Sequence, residues 1–252
     1  MKVIPAIDIL DNEAVRLLQG DYSKKTVYSN APWELVEGFK KTGAELIHLV
    51  DLNAARDGES SNTDSIARIR EKASGIKIEI GGGIRSMEKI KYYDAMGMDR
   101  MIIGTAAVTD PDFLDQALRE LGSEKVVVAV DAKDGIVKIK GWEKDTDLHY
   151  LDLMKKLTSQ GVEHIIYTDI SQDGMLNGPN FESYIQILKE FPFYLIASGG
   201  ISSIRDIVKF SGLKEGRGVY GVITGKAIYE GRIDLEDAIK NVQLSENTGE
   251  IY

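Results

Sequence analysis

Eight short apolar runs, most of them rich in β-branched residues, recur along the chain: Val3–Ile7, Leu46–Val50, Ile76–Ile80, Met101–Ile103, Val126–Val130, His164–Thr168, Tyr194–Ala197 and Val219–Ile223. They are apolar almost throughout instead of alternating, the pattern of strands buried on both faces of a parallel sheet. Amphipathic stretches separate them. Trp33–Thr42 places Leu35, Val36 and Phe39 at helical spacing. Pro111–Leu121 opens with Asp110 as N-cap and Pro111 at the first helical position. Asn180 is expected to cap a helix over Phe181–Phe191, and Ser86 one over Met87–Met96. Strands alternating with helices in this way admit an open doubly wound sheet or a closed barrel.

Internal repetition favours the barrel. Ile80-Gly81-Gly82-Gly83-Ile84-Arg85-Ser86 resembles Ala197-Ser198-Gly199-Gly200-Ile201-Ser202-Ser203 at an offset of 117 residues. Gly104 and Gly225 match at 121, and Asp8 and Asp131, each following an apolar strand, at 123. His48-Leu49-Val50-Asp51 likewise matches Ile166-Tyr167-Thr168-Asp169. Offsets so close to half the chain length imply two similar halves. The expected fold is therefore α/β: a single (β/α)8 TIM barrel over residues 1–244, built from two (β/α)4 halves, with a polar tail over 245–252.

Composition agrees with one large soluble core, since 43% of the 252 residues are apolar and 28% charged. A net charge of −9 argues against a nucleic-acid partner, which would call for a basic face. Any phosphorylated ligand must then be held by local donors. Cysteine is absent, which excludes disulfides and thiol catalysis. The N-terminus does not read as a signal peptide, and no run reaches the roughly 18 apolar residues of a membrane span. A cytoplasmic protein without membrane association is expected.

In such barrels the chemistry sits at the C-terminal ends of the strands. Glycine-rich turns occur there twice in each half: Gly82-Gly83 and Gly104-Thr105, then Gly199-Gly200 (followed by Ser202) and Gly225-Lys226. Glycine lets a backbone approach a phosphate closely, and each turn leads into a helix whose N–H groups favour anions. Two symmetric pairs of turns point to two phosphate sites on opposite sides of the mouth, with Arg85 and Lys226 adding charge. Asp8 and Asp131 face each other across that mouth as a candidate acid–base pair. Asp51, a candidate ligand-binding residue, and Thr168 end strands two and six, and Asp173-Gly174 lies in the loop beyond the latter. Asp57-Gly58 reads as an ordinary turn. Trp142 sits on a glycine-bearing loop, either as a flap stacking on a flat ring or as a plug on the rim. Arg16 and Gln19-Gly20 belong to a long connection that reads as a binding loop. His48 is expected inside the barrel and His149 and His164 in structural roles. No metal-ligand spacing and no dinucleotide or Walker signature occurs.

Together these segments resemble the phosphoribosylformimino-aminoimidazole carboxamide ribotide isomerase family of histidine biosynthesis. The resemblance rests on Pro5-Ala6-Ile7-Asp8, Arg16-Leu17 with Gly20, Ile47 to Leu52, Gly81 to Arg85, Asp131 to Gly135 with Gly141-Trp142, Thr168-Asp169 with Asp173-Gly174, and Ser198 to Ile201. A related cyclase subunit typically carries lysine about where Arg16 stands and lacks the Lys-Gly-Trp element, so the isomerase is the nearer match. The resemblance implies an Amadori rearrangement of an aminoaldose bearing a phosphate at each end, without cofactor or metal. By resemblance Asp8 is the base, Asp131 the acid, Thr168 a hydrogen-bond partner of the sugar and Asp173 a second candidate acid. Two other readings are a bifunctional barrel that also takes phosphoribosyl anthranilate and a non-catalytic phosphosugar-binding barrel.

Overall fold

The computed structural model describes residues 1–18 and 20–248. The chain begins with β1 (Lys2–Leu10), folds back through β2 (Glu13–Leu18) and β3 (Asp21–Ser29), and enters α1 (Pro32–Lys41). There follow β4 (Leu46–Asp51), α2 (Leu52–Asp57), α3 (Thr63–Lys72), β5 (Lys77–Gly81), α4 (Met87–Ala95), β6 (Arg100–Ile103), α5 (Thr105–Thr109) and α6 (Pro111–Leu121). The second half repeats the plan with β7 (Val126–Lys133), β8 (Ile136–Ile139), β9 (Lys144–His149), α7 (Tyr150–Ser159), β10 (His164–Asp169) and α8 (Phe181–Glu190). It ends with β11 (Tyr194–Ser198), α9 (Ile204–Ser211), β12 (Val219–Thr224), α10 (Lys226–Tyr229) and α11 (Leu235–Thr248).

All eight expected strands form, in the parallel order β1-β4-β5-β6-β7-β10-β11-β12, and β12 pairs with β1 to close the barrel. Their near-continuous apolar character has a simple origin. Ile4 and Ala6 of β1 pack inside the barrel with Leu46, Ile102, Val127, Ile166, Ile196 and Ile223, while Val3, Ile7 and Ile9 face the helices. Both faces are dry, so the period of two is hidden in the sequence.

Register confirms the half-barrel repeat. Asp8 lies beside Val50, and Val50 beside Gly81; Asp131 lies beside Thr168, and Thr168 beside Ser198. The repeat also extends to a pair of side-chain contacts. Asn62 donates to Asp51 at 2.8 Å, and Asn180, 118 residues further on like Asp169 from Asp51, donates to Asp169 at 3.1 Å.

Several expectations are corrected. The connection carrying Arg16 and Gly20 is not an irregular loop but an antiparallel hairpin, β1 pairing with β2 and β2 with β3; Gln19 lies outside the described residues. The second half carries a counterpart in β8 and β9. Asp110 and Ser86 cap their helices as expected, accepting from Phe113 N at 3.0 Å and Lys89 N at 3.3 Å. Asn180 precedes α8, but its side chain makes no capping bond because its amide is turned to Asp169 and Ser183. The tail expected from residue 245 overlaps α11, where Ser245 is buried against Ser211; residues 249–252 lie outside the described residues. No described helix is long and apolar enough to cross a membrane.

Candidate active site

One cavity opens at the C-terminal ends of the strands. Its wall includes Asp8, Arg16, Gly20, His48, Asp131, Trp142, Thr168 and Asp173, together with Gly82, Gly83, Arg85, Gly104 and Thr105 of the first-half turns. Asp8 and Asp131 arrive there for the same reason. Each is the inward residue after Ile4-x-Ala6 in β1 and Val127-x-Ala129 in β7, so the strand period carries both carboxylates to the mouth.

Their surroundings differ. Asp8 is ion-paired at 2.5 Å with Arg16, which reaches it from β2. Burial opposes the Arg16 charge, but the carboxylates of Asp8 and Asp173 more than offset it and hold its pKa above the ordinary arginine value. Among the described residues, no cation is bonded to Asp131. Burial pushes its pKa up, partly countered by hydrogen bonds from the Trp142 indole N–H, at 2.9 Å, and from Thr168. Asp173 is likewise pushed up by burial, against the pull of the Arg16 cation. One cavity thus holds an ion-paired carboxylate beside two carboxyl groups biased toward the protonated form, a division suited to proton transfer in both directions.

The two hairpins meet above these groups. Lys140, Gly141 and Trp142 turn in left-handed backbone, with φ of 56°, 63° and 74°. The Lys140 N–H donates to Thr105 Oγ1 at 2.9 Å, which ties the turn to the end of β6. Gly20 of the first hairpin packs on the Trp142 ring, where a Cβ would come within 2.8 Å of it. Tyr22, on the same hairpin, donates to Leu52 O at 3.0 Å and joins the wall.

The glycine turns have a packing role as well. At Gly82 and Gly83, both with positive φ, a Cβ would stand 2.2 Å from the carbonyl oxygens of Asp51 and Ala54. At Gly199 and Gly200 the corresponding clashes are with Asp169 O at 2.7 Å and Gly178 O at 2.8 Å. The turns of the second half, unlike those of the first, do not line this cavity. Lys226 donates to Gly174 O at 2.9 Å, and the Ser202 amide and hydroxyl are both bonded to Asp206. Gly225 lies against the Arg16 guanidinium, 2.8 Å from where a Cβ would sit.

Asp51, expected among the ligand-binding residues, does not reach the cavity. It is fully buried, accepts from Ala54 N at the start of α2 and from Asn62, and so anchors a helix. Asp57 pairs with exposed Arg56 and Gly58 ends α2, as a turn does. His149 caps α7, and His164 is buried against Tyr194, where burial pushes its pKa down.

Three polar wall residues were not among the expected site residues: Tyr22, which lies in no motif, and Ser198 and His48, which stand within the repeated motifs without a role assigned to them. The hairpin that carries Tyr22 has a legible signal, since Asp11-Asn12 and Asp134-Gly135 are hairpin-turn dipeptides 123 residues apart. His48 becomes recognisable once the inward period of β4 is known, because it stands two residues before inward-facing Val50.

Comparison with known proteins follows this geometry. The family described as "Histidine biosynthesis protein" matches residues 2–234. A Leptospira biflexa protein is 48% identical over 241 residues, covering 95% of this chain and 97% of its own. A Lactococcus lactis protein is 46% identical over 242 residues, at 96% and 99% coverage. One from Thermodesulfovibrio yellowstonii is 44% identical over 243 residues, at 96% and 98%. All three are named 1-(5-phosphoribosyl)-5-(5-phosphoribosylamino)methylideneamino imidazole-4-carboxamide isomerase.

Proposed function

This chain belongs to the histidine biosynthesis protein family, and from that premise we propose that it catalyses the isomerisation its relatives are named for. The substrate is an aminoaldose ribonucleotide with a phosphate at each end, and the product is the aminoketose. The observation that carries this reading is the pair of aspartates. They occupy equivalent positions in the two halves, share one cavity and have unlike surroundings.

The reaction needs an acid to open the furanose and a base to remove the proton from C2 of the sugar. Asp131, biased toward its protonated form, is the acid. Asp8 is the base, and Arg16 holds its carboxylate in a fixed orientation. Thr168 bonds Asp131 and faces the reacting sugar, while Asp173 is the alternative acid. One phosphate binds at Gly82-Gly83, Arg85 and Gly104-Thr105, which already line the cavity. The other binds at Gly199-Gly200, Ser202 and Gly225-Lys226, which requires Lys226 to leave Gly174. Trp142 stacks on the flat heterocycle.

Steady-state assay of the purified protein with the aminoaldose ribonucleotide and with phosphoribosyl anthranilate tests the reading. Turnover of the first without the second is expected. No turnover of the first in pure, folded protein overturns it.

A further inference from the structure

Glu79 is a carboxylate inside the barrel for which the mechanism above has no use. It lies on β5, is fully buried, and faces inward between Ile78 and Ile80, which pack outward. An ionisable group costs several kcal/mol there unless it is paired. Among the described residues its partner is His48, whose Nδ1 stands 2.8 Å from Glu79 Oε1, and its other oxygen has no hydrogen-bond partner among them. His48 sits on the neighbouring strand, in register with Ala6 and Glu79. It is therefore one inward layer below Val50, which pairs with Asp8, about 7 Å along the strand. It forms part of the cavity wall, whereas Glu79 lies behind it.

Glu79 holds Nδ1 and leaves Nε2 as the ring nitrogen it does not engage; in the tautomer with its proton on Nδ1, Nε2 can accept a proton. A histidine oriented by a buried carboxylate, with its other nitrogen available in a reaction cavity, is an arrangement built to move protons.

Resting on the isomerase reading, we propose that His48 is a third proton-transfer group of the reaction and that Glu79 is its positioning residue. The step it serves is the last one. Asp131 gives its proton to the ring oxygen as the C1–O bond breaks and an iminium forms. Asp8 takes the proton from C2, and the C–H electrons form the C1–C2 double bond of the enolamine. The C2 hydroxyl then loses its proton to His48 Nε2 while Asp8 returns its proton to C1, giving the ketone. His48 passes its proton to Asp131, which lines the same cavity, and all three groups are restored. A two-aspartate scheme requires the hydroxyl proton to reach Asp131 directly, whereas His48 supplies a relay on the cavity wall.

The test compares the wild type with His48→Phe, Glu79→Gln and Glu79→Leu in D2O, each checked for folding by its thermal melt. Two rates are followed: ketose formation, and loss of the C2 hydrogen from recovered aldose. His48→Phe should lower kcat for ketose by at least about tenfold with KM changed less than about threefold. Exchange at C2 should persist, so the ratio of exchange to product rises. Glu79→Leu should reproduce that ratio, and Glu79→Gln, whose amide oxygen still accepts from Nδ1, should restore most of the wild-type behaviour. If exchange and ketose formation fall together in His48→Phe, or neither falls, the assignment is wrong. Should the Glu79 variants not fold, His48→Phe decides alone. A wild type that does not turn over the aldose fails the isomerase reading itself and this step with it.

Discussion

Asp8 and Asp131 occupy one backbone position in two copies of the same half-barrel, and what separates them is their neighbours. Arg16 stands at Asp8; Trp142 and Thr168 stand at Asp131. Because burial raises the Asp131 pKa, the protonated acid persists above the usual carboxyl range. The limb of kcat/KM that depends on it should fall as pH rises through that raised value. The same shift has a sign for stability. A carboxyl whose pKa is higher folded than unfolded adds stability that is complete below its unfolded value, near 3.8, and is lost as pH rises through the folded one. Asp131→Asn should therefore gain stability relative to the wild type between about pH 4 and neutrality, measured by paired melts across pH. A constant difference across that range would show that Asp131 is not the strained group.

The turns and hairpins explain why part of the site was legible and part was not. Glycine runs at strand ends can be seen in the sequence, but not that Gly83 is pressed on the backbone of α2. That contact predicts a contrast. Gly43 has φ of +83° and nothing within 4 Å of a built Cβ, whereas a Cβ on Gly83 would stand 2.2 Å from Ala54 O. Gly43→Ala should cost about 1–2 kcal/mol, the backbone strain alone. Gly83→Ala should cost more and also raise KM, since the phosphate turn must shift; equal Tm losses would contradict this. Asp51 shows the opposite difficulty. A polar residue at a strand end looks like chemistry, yet only the fold shows it capping α2. The same polar cluster fixes the first hairpin, because Asn62 accepts from Asn12 N at 2.8 Å and donates to Asp51 and Asn53. Asn62→Ala leaves several buried groups unpartnered, each worth about 1–3 kcal/mol, and should lower Tm and kcat together by loosening Arg16. A Tm within one degree of the wild type would show that the cluster is not needed.

At the scale of the molecule, the barrel was readable because its strands are dry on both faces and its halves repeat. Offsets in the sequence are the register of the structure, as Asp8-Val50-Gly81 and Asp131-Thr168-Ser198 show. The hairpins were missed because their outer strands, Asp21–Ser29 and Lys144–His149, are mostly polar with no buried residue, and the inner ones are too short to announce themselves. The asymmetry of function on this symmetric frame is the central claim: two equivalent aspartates, two roles. The most direct measurement is single-turnover and steady-state kinetics of Asp8→Asn and Asp131→Asn on the aminoaldose ribonucleotide, with substrate binding measured separately. Each variant should bind with nearly unchanged affinity and lose on the order of 100- to 10,000-fold in kcat, and the double variant should be little worse than either. Near-normal turnover by Asp8→Asn would contradict the two-aspartate mechanism.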